Sequence, residues 1–375
     1  MATTTQQELK QMANLKQMLE IGKTLKGAEK ISKGMIADLM LDLELLYSAQ
    51  GKPDKAFEVS KQAFDFNPDS DRIAFNNAWH LIRNGNLLEG YKGLNRGRKA
   101  GVYAKPDIQT DKPIYSGQDL KDKTVLFQCE CGLGDEIIMV RFVKELIKQQ
   151  AKVIIGCSKS LMPIFSQLGT VVDKEFSGQQ EFDYWIPSMN AIDILGIEKV
   201  TGEPYLKADP EYIKKWSEII KSDKIKVGIR WAGNTCYEEE LWRTLNPVGL
   251  IDAVSTDKTE IYSLQRDDGM IDLPDHVTDL SQELKTWDDT AGAMQNLDLI
   301  VSSCTSIPHM AAALGRPTWV IVPTLAYYIW AQYETSTDWY DSVKIFKQHK
   351  FQDWSEPLAN LKKEIQCLEC NFSSI

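Results

Sequence analysis

Residues 124–156 read TVLFQCECGLGDEIIMVRFVKELIKQQAKVIIG, and this segment determines which architecture the rest of the chain must fit. Thr124 to Cys129 is a short apolar run typical of a buried strand. A glycine-containing turn follows it and leads into a helical pattern from Glu136 to Gln149 and a second apolar run from Lys152 to Gly156. Strand, turn, helix and strand make the βαβ unit of a parallel sheet, so the sequence predicts an α/β body.

Five further apolar runs predict strands, with helical segments between most of them, at residues 183–186, 226–231, 260–264, 297–302 and 318–322. A charged helix is predicted from Pro210 to Ser222, just before the strand that begins at Lys226. We therefore expect two Rossmann-like lobes, an N-terminal lobe over residues 111–222 and a C-terminal lobe over residues 223–375 that ends in a helix.

Residues 1–110 have helical patterns and no alternating strand pattern, which predicts an α-helical N-terminal domain. Three small residues recur 34 positions later, and the pairs are Gly51 and Gly85, Ala56 and Gly90, and Ala63 and Gly97. This interval is the period of the tetratricopeptide (TPR) repeat, in which small residues let helices approach closely. The alternative is an unrelated helical bundle with a chance period. We predict a TPR-like arm that serves as an appendage or reads an acceptor.

The charge balance argues against a partner such as bulk nucleic acid or an anionic membrane surface, because 43 Lys and Arg residues face 53 Asp and Glu residues. Seven cysteines in 375 residues are too few for a disulfide scaffold and favour a reducing compartment. The N-terminus lacks the pattern of a secretory signal. The longest apolar stretch, Pro317 to Ala331, is too short to span a bilayer and is interrupted by Pro323. We expect a soluble, cytoplasmic protein without a transmembrane segment.

The turn after the first strand is the first candidate site. Gly132 and Gly134 allow a ligand to approach the backbone, and Asp135 falls at the opening of the predicted helix. The third glycine and the later acidic residue of a dinucleotide-binding fingerprint are missing. Asp135 is therefore either a general base or a helix N-cap.

A second candidate lies where the strand at 297–302 runs into hydroxyl residues at a helix start. Cys304, Thr305 and Ser306 lie at this junction, and His309 follows on the helix. Free backbone N–H groups and the helix dipole make such a start an anion site, for which a diphosphate is the natural ligand. The alternative is a serine-rich N-cap without a ligand, with His309 an ordinary packed histidine.

The carboxyl ends of the strands at 226–231 and 260–264 carry further polar residues. Arg230 is either a phosphate-binding cation or part of a structural ion pair, and Asn234 follows it in a small-residue turn. Arg243 suits a phosphate because a guanidinium fork matches its geometry. Gln265 and Arg266 occupy the position at which a base or ribose is commonly bound.

We expect no metal and no cofactor. No Asp-x-Asp tract follows a predicted strand, and the adjacent pairs Asp267-Asp268 and Asp288-Asp289 suit solvated or capping roles. Two cysteine pairs, at 129 and 131 and at 367 and 370, could supply four thiolates to zinc, but one pair lies in a turn and the other near the C-terminus. Tyr327, Tyr328 and Trp330 either line a sugar pocket or pack in the core.

In chain order, the motifs are QCECGLGD at 128–135, FD at 182–183, IPS at 186–188, PYL at 204–206, GIRWAGN at 228–234, YSLQ at 262–265, TA at 290–291, LDLI at 297–300, HMAAALGRP at 309–317, WY at 339–340 and DW at 353–354. Together with the helical repeats, this series resembles the TPR-containing bacterial glycosyltransferases related to ADP-heptose:lipopolysaccharide heptosyltransferases. The resemblance covers nearly the whole chain and implies a GT-B fold of two lobes. It also implies a nucleotide-sugar donor on the C-terminal lobe, an acceptor on the N-terminal lobe and transfer without a metal.

The resemblance also implies roles for particular residues. Asp135 matches the family's Gly-x-Gly-Asp aspartate, the proposed base that deprotonates the acceptor hydroxyl. The family's diphosphate-binding turn and its positions near the donor phosphates are matched by Thr305, Ser306, His309, Asn234 and Arg243. Two departures indicate a different donor: Cys304 stands where the family commonly has Asp, and residues 327–330 read YYIW where it often has Asp-Trp-Arg-Trp.

The sequence therefore predicts a glycosyltransferase that moves a sugar from a nucleotide-diphosphate sugar to a hydroxyl of a glycan, a lipid-linked saccharide or a protein. The TPR-like arm is expected to read that acceptor, and a homo-oligomer is left open. Two alternatives are a non-catalytic TPR/GT-B scaffold or binding module, and a nucleotide-sugar epimerase on the same fold.

Overall fold

A helical unit, Met1–Ala104, precedes an α/β unit, Lys105–Ile375, in the computed structural model of the chain. The structure describes residues 29–103, 108–236, 240–266 and 269–372. The part of the predicted helical domain before residue 29 lies outside these ranges.

The described part of the helical unit consists of four helices, which confirms the helical expectation for these residues. They are α1 (Glu29–Ala49), α2 (Pro53–Phe66), α3 (Asp71–Arg83) and α4 (Leu87–Ala100). Helix α1 packs on α2, α2 on α3, and α3 on α4. Ser70 caps α3 by accepting a hydrogen bond from the Ile73 N–H, and Gly101 ends α4 with a φ of 72°.

Small residues lie where these helices are closest. Ala56, Ala63 and Ala78 are completely buried. A methyl group on Gly90 would lie 2.3 Å from Ile82 Cγ1, and one on Gly97 would lie 2.4 Å from Phe75 Cδ2. The recurring small residues at positions 56, 63, 90 and 97 are therefore explained by close helix packing, whereas Gly51 and Gly85 lie in turns between helices with φ values of 67° and 84°.

The first lobe of the α/β unit contains a four-stranded parallel sheet in the order β3-β2-β1-β4. Its elements are β1 (Thr124–Gln128), α5 (Leu133–Met139), α6 (Val143–Lys148), β2 (Lys152–Cys157), α7 (Met162–Phe165), β3 (Thr170–Asp173), β4 (Tyr184–Pro187) and α8 (Ala191–Ile194). The central strand β1 pairs in register with β2 and β4, and Val125, Leu126 and Phe127 are completely buried.

The first helix of this lobe differs from its predicted bounds. It begins at Leu133, directly after Gly132, and a 3₁₀ turn, Val140–Phe142, separates α5 from α6. At this turn the Ile138 carbonyl accepts a hydrogen bond from the Arg141 side chain at 3.0 Å, which competes with the backbone ladder.

The second lobe contains a six-stranded parallel sheet in the order β10-β9-β8-β5-β6-β7. Helix α9 (Pro210–Ser217) comes just before this lobe. The elements of the lobe are β5 (Ile225–Arg230), α10 (Glu240–Arg243), α11 (Pro247–Val254), β6 (Thr259–Ser263), β7 (Val277–Asp279), α12 (Trp287–Gln295), β8 (Leu299–Ser303), α13 (Ser306–Ala313), β9 (Thr318–Val322), α14 (Tyr328–Ala331), β10 (Val343–Lys347) and α15 (Ser355–Phe372), and α9 packs on α12. The C-terminal helix α15 packs on α11 over a core that includes Leu250 and Leu361.

The two lobes are joined by a connecting segment that pairs with the second lobe. The N–H groups of Tyr205 and Leu206 both donate to the Ala313 carbonyl, at 3.0 and 3.1 Å, and Asp341 donates to the Gly202 carbonyl at 2.9 Å. Helix α5 of the first lobe also packs against α13 of the second. Within the described ranges, every helix is too short or too polar to cross a bilayer.

Candidate active site between the two lobes

The two turns that the sequence analysis singled out meet in the structure. Helix α5 begins after β1, α13 begins after β8, and the two helices pack at Gly134. A methyl group on Gly134 would lie 3.3 Å from His309 Cδ2 and 3.7 Å from Ser306 Cα. Because glycine lacks this group, the glycine turn and the hydroxyl-rich turn pack directly against each other, and we call their junction the crevice.

Asp135 lies in this crevice as a half-buried carboxyl group. Its Oδ2 accepts the Gly132 N–H at 3.1 Å, and its Oδ1 accepts the Tyr327 hydroxyl at 2.5 Å. Burial raises the pKa of Asp135 above its ordinary value, although the Tyr327 and Gly132 hydrogen bonds act in the opposite direction. Asp135 thus caps its own helix, and its role as a general base stays a prediction.

The neighbouring Glu136 has a different environment and is completely buried. Its carboxylate pairs with Lys174 at 2.8 Å and accepts the Ser158 N–H at 2.8 Å and the Ser158 hydroxyl at 2.5 Å. These contacts fasten α5 to the ends of β2 and β3. Glu136 therefore positions the helix, and Asp135 is the carboxyl group that faces the crevice.

The start of α13 is where the sequence predicts an anion site. Thr305 is the N-cap, and its Oγ1 accepts the Ile307 N–H at 3.3 Å and lies 3.4 Å from Ser302 Oγ. Ser303 Oγ is buried and has no hydrogen-bond partner within the described residues. Ser306 is half-buried, whereas Thr305 is buried. Pro308 has no N–H and the Ile307 N–H donates to Thr305 Oγ1, so the backbone donor left at the start of this helix is the Ser306 N–H, beside the hydroxyl groups of Thr305 and Ser306.

Cys304 precedes this helix start, and its side chain is buried. Its Sγ accepts the Trp330 Nε1–H at 3.0 Å. The residue that departs from the resembled family is therefore fixed by an aromatic side chain from α14.

Arg243 connects the end of β5 with the start of α13. Its Nη1 donates to the Cys304 carbonyl at 2.6 Å, and its Nε donates to Glu240 Oε2 at 2.6 Å. The other oxygen of Glu240 accepts the Gly233 N–H at 2.5 Å. The expected cation thus lies beside the anion site and is paired with a buried glutamate that the sequence analysis did not single out.

Arg230 and Gln265 join the ends of β5 and β6. Arg230 donates to the carbonyls of Ala232 and Leu264, at 2.9 and 3.1 Å. The Gln265 side chain is completely buried, accepts the N–H groups of Trp231 and Ala232, and donates to the Ala232 carbonyl. These contacts are structural, and a role of either residue in donor binding stays a prediction.

Asn234 lies beyond β5 and is exposed, and its Oδ1 accepts the Cys236 N–H at 2.9 Å. A groove of about 400 Å³ opens near the ends of β6 and β7, and its lining residues are Arg266, Met270, Ser281, Gln282, Leu284 and Lys285. Arg266 donates to the Leu284 carbonyl at 2.7 Å, which holds its side chain on the groove wall.

His309 is buried one turn into α13. Its ring stacks on Trp330 at a centroid distance of 4.9 Å, and its Nδ1 lies 3.3 Å from the Tyr340 hydroxyl. Burial, with Arg141 and Arg243 nearby, lowers the pKa of His309 to about 3. The imidazole is therefore neutral at physiological pH.

The aromatic residues that the sequence analysis singled out divide at the crevice: Tyr327 contacts the candidate base, whereas Tyr328 and Trp330 are buried. Two further residues carry no separate signal in the sequence. Glu240 contacts Arg243 from the same short helix, and Arg141 reaches His309 through contacts between the lobes. Across the residues that the structure covers, no three His, Cys, Asp or Glu side chains come together as metal ligands. Metal-independent chemistry stays a prediction.

No model of a protein family matches the chain. Protein FlbA of Caulobacter vibrioides (strain ATCC 19089 / CIP 103742 / CB 15) is 21% identical over 88% of this chain, which spans only 59% of the length of FlbA.

Among solved structures, the glycosyl transferase family 9 protein from Veillonella parvula DSM 2008 is similar with a TM-score of 0.51 and 9% identity, over 69% of this chain and 99% of that chain. E. coli ADP-heptose lps heptosyltransferase II has a TM-score of 0.46 and 11% identity, over 66% and 99%. The iron-containing dodecameric glycosyltransferase TibC from enterotoxigenic E. coli H10407 has a TM-score of 0.45 and 13% identity, over 68% and 78%. The first likeness shows that the parallel α/β unit has the fold of a glycosyl transferase, as the sequence predicts.

Proposed function

We propose that the chain is a glycosyltransferase that moves a sugar from a nucleotide-diphosphate sugar to an acceptor hydroxyl, with Asp135 as the general base. The observation that carries the proposal is the packing of α5 on α13 at Gly134, which brings a proton-accepting carboxyl group and an anion site into one crevice. A glycosyl transfer needs both groups within reach of one sugar ring.

The donor diphosphate would bind at the start of α13. The Ser306 N–H and the hydroxyl groups of Thr305 and Ser306 supply donors, Arg243 supplies a cation, and His309 supplies a neutral ring. When the bond between the anomeric carbon and the phosphate oxygen breaks, the electron pair stays on the diphosphate. Fixed donors in a crevice with little water stabilise that charge without a metal ion.

The nucleoside would extend toward the groove beside Arg266. The volume of this groove, about 400 Å³, falls within the range of small-molecule binding sites. Gln265 is buried just after the end of β6, and Asn234 lies just after the end of the neighbouring strand β5. We infer that these residues shape the nucleotide end of the donor site, with Arg230 supporting them through backbone contacts.

The acceptor would approach from the first lobe. Its hydroxyl oxygen bonds to the anomeric carbon while its proton passes to the Asp135 carboxylate. The raised pKa of Asp135 makes it a stronger base than an ordinary surface aspartate. The acceptor hydroxyl has to share this carboxylate with Tyr327, so Tyr327 limits how the acceptor is oriented.

We also propose that residues 1–110 form a TPR-like arm for a glycan, a lipid-linked saccharide or a protein acceptor, that residues 111–222 form the acceptor lobe and that residues 223–375 form the donor lobe. The 34-residue interval and the tight packing at Gly90 and Gly97 support the arm. The sparse cysteines favour a cytoplasmic reaction, and a homo-oligomer is left open.

The experiment begins with a panel of nucleotide-diphosphate sugars read by thermal shift. A ligand at 100 times its dissociation constant stabilises a protein by about 2.7 kcal/mol. Release of nucleoside diphosphate is then measured with glycan, lipid-linked and protein acceptors. Asp135→Asn should bind the donor normally and lose turnover, whereas Asp252→Asn, on the exposed face of α11, should behave like the parent chain.

Three outcomes would contradict the proposal. Absence of turnover with every donor and acceptor would favour a scaffold, and conversion of the donor without any acceptor would favour an epimerase. Full activity of Asp135→Asn would remove that residue from the role of base.

A further inference from the structure

Arg141 is a buried cation between the lobes with aromatic rings around it. It is 3% exposed, and its guanidinium lies 4.5 Å from the Tyr205 ring centroid and 4.6 Å from that of Tyr340. No carboxylate among the described residues forms an ion pair with Arg141. Its donors go to the carbonyls of Ile138 and Trp339, at 3.0 and 2.8 Å, and to the Tyr205 hydroxyl at 3.2 Å. A buried charge without a counter-ion acts strongly on the polar groups beside it.

A series of hydrogen bonds leads from this cation to the anion site. The Tyr205 hydroxyl lies 2.8 Å from the Ile137 carbonyl and 3.4 Å from the Tyr340 hydroxyl. The Tyr340 hydroxyl in turn lies 3.3 Å from His309 Nδ1. The opposite edge of the imidazole faces Gly134, since a methyl group there would lie 3.3 Å from His309 Cδ2 and 3.9 Å from Nε2.

The direction of these hydrogen bonds follows from which groups can donate. A guanidinium only donates and a carbonyl only accepts, so Tyr205 accepts from Arg141 and gives its own proton to Ile137. The Tyr340 hydroxyl can then donate to either of two acceptors, the Tyr205 oxygen or His309 Nδ1. Burial raises the pKa of Tyr340 well above its ordinary value, so the hydroxyl keeps this proton.

Electrostatics decides between the two acceptors. The Tyr205 oxygen already accepts from a cation, which makes it a weaker acceptor than an imidazole nitrogen. The field of Arg141 also favours the tautomer whose lone pair lies on the Nδ1 side, and it lowers the pKa of His309. The other nearby cation, Arg243, also lowers the pKa of His309, although it is paired with Glu240.

We propose that Arg141, acting through Tyr205 and Tyr340, holds His309 as the neutral tautomer with its proton on Nε2, so that an N–H donor is directed at the glycine turn and an anion bound there. The three residues are positioning residues for His309. The identity of the anion as the donor diphosphate rests on the proposed function, whereas the tautomer does not. A neutral N–H donates to the departing phosphate without transferring a proton.

The direct test is ¹⁵N NMR of the full chain labelled at histidine. The chain has four histidines, and His309→Gln identifies the signals of His309 by their loss. We expect a protonated, pyrrole-type Nε2 and an unprotonated, pyridine-type Nδ1. A proton on Nδ1, or a doubly protonated ring at neutral pH, would overturn the proposal.

Variants test whether the tyrosines are responsible. Tyr340→Phe removes the donor to Nδ1 and should shift the Nδ1 resonance and populate the second tautomer. If Tyr340→Phe does not fold, Tyr205→Phe removes the same relay one step earlier. The control is Tyr262→Phe, since Tyr262 is buried in the second lobe and its hydroxyl lies only near the Lys221 carbonyl. A His309 spectrum that is the same in Tyr340→Phe and in the parent would contradict the role of Tyr340.

Binding of inorganic pyrophosphate separates this inference from the proposed function. Tyr340→Phe should weaken pyrophosphate binding by about tenfold, the change that corresponds to about 1.4 kcal/mol, with no change in Tyr262→Phe. If NMR finds the predicted tautomer but the chain does not bind pyrophosphate, the positioning of His309 is supported and the diphosphate site is rejected. Pyrophosphate binding by a chain whose His309 carries its proton on Nδ1 would reject the inference alone.

Discussion

The Tyr327 hydroxyl donates a 2.5 Å hydrogen bond to Asp135 Oδ1, and this contact links the second lobe to the candidate base of the first. The hydrogen bond favours the ionised carboxyl group and therefore opposes the effect of burial on its pKa. Because the carboxylate also accepts the Gly132 N–H, the positions of both oxygens are fixed. The crevice thus holds its base in an oriented, ionisable form.

The first prediction concerns Tyr327→Phe. Loss of the hydroxyl removes a hydrogen bond to the charged form, so the pKa of Asp135 should rise further. The acidic limb of the pH profile of kcat/KM should move to higher pH, and activity at pH 6 should fall more than activity at pH 8. Steady-state rates across this range provide the measurement.

A matched control for this variant is Tyr333→Phe. Tyr333 donates to Asp338 at 3.1 Å, but both residues lie on an exposed surface away from the crevice. This variant should leave the profile unchanged. An identical acidic limb in Tyr327→Phe and the parent would show that the Tyr327 hydrogen bond does not change the pKa of the catalytic group.

The sequence predicts the strands that lie inside the two sheets better than those at the edges. Strands β1, β5, β8 and β9 are covered on both faces and read as nearly continuous apolar runs. Strands β3, β7 and β10 are edge strands, with partly exposed positions and as few as three residues. Their apolar patterns are too short or too mixed to distinguish them from loops.

The convergence of the candidate site is predictable for a related physical reason. Asp135 and Thr305 each follow a strand of a parallel sheet, and ligands collect at the carboxyl ends of such strands. The pairing of Arg243 with Glu240 is a local i,i+3 contact within α10. The contact of Arg141 with Tyr340 instead depends on how the two lobes pack, so no local pattern encodes it. The sequence thus predicts which turns form the site but not all of the side chains that set the pKa and the orientation of its groups.

The second prediction concerns stability in acid. The pKa of His309 is about 3 in the folded chain and 6.5 in its ordinary state, so below pH 6.5 the unfolded chain binds a proton that the folded chain does not. Stability should therefore fall as the pH is lowered through this window, by about 1.4 kcal/mol per pH unit for this group. Urea denaturation between pH 7 and pH 4.5 measures the slope.

His309→Gln should have a shallower pH dependence than the parent chain because this group is removed. Asp135 acts in the opposite direction, since its pKa is raised, but its contribution is present in both proteins and cancels in the difference. His276→Gln, at an exposed position, should retain the slope of the parent. Equal slopes in His309→Gln and the parent would mean that His309 is protonated in the folded chain over this range.

The third prediction concerns the ion pair beside the anion site. Glu240→Gln leaves the Arg243 guanidinium without its carboxylate while an amide oxygen can still accept the Gly233 N–H. We expect a loss of about 1–3 kcal/mol in the free energy of unfolding, because a partly buried cation loses its carboxylate partner. Inorganic pyrophosphate should bind several-fold more tightly at low salt, and added salt should reduce the gain. Urea denaturation measures the change in stability, and titration calorimetry at two salt concentrations measures pyrophosphate binding. Weaker binding of Glu240→Gln than of the parent at low salt would show that Arg243 does not face the anion.

The fourth prediction compares two glycines of the helical unit. A methyl group on Gly90 of α4 would lie 2.3 Å from Ile82 Cγ1 and 3.1 Å from the Ala78 carbonyl oxygen, so Gly90→Ala should force α3 and α4 apart. Gly34 of α1 has no atom within 4 Å of the same position, and Gly34→Ala should stabilise the helix by about 0.5–1 kcal/mol. Gly90→Ala should instead be destabilising by about 1–3 kcal/mol, as expected for overpacking. Chemical denaturation of the full chain, followed by far-ultraviolet circular dichroism, measures both effects. Equal stabilities of the two variants would contradict the close approach of α3 and α4 at Gly90. The proposed TPR-like arm would then lose the packing observation that supports it.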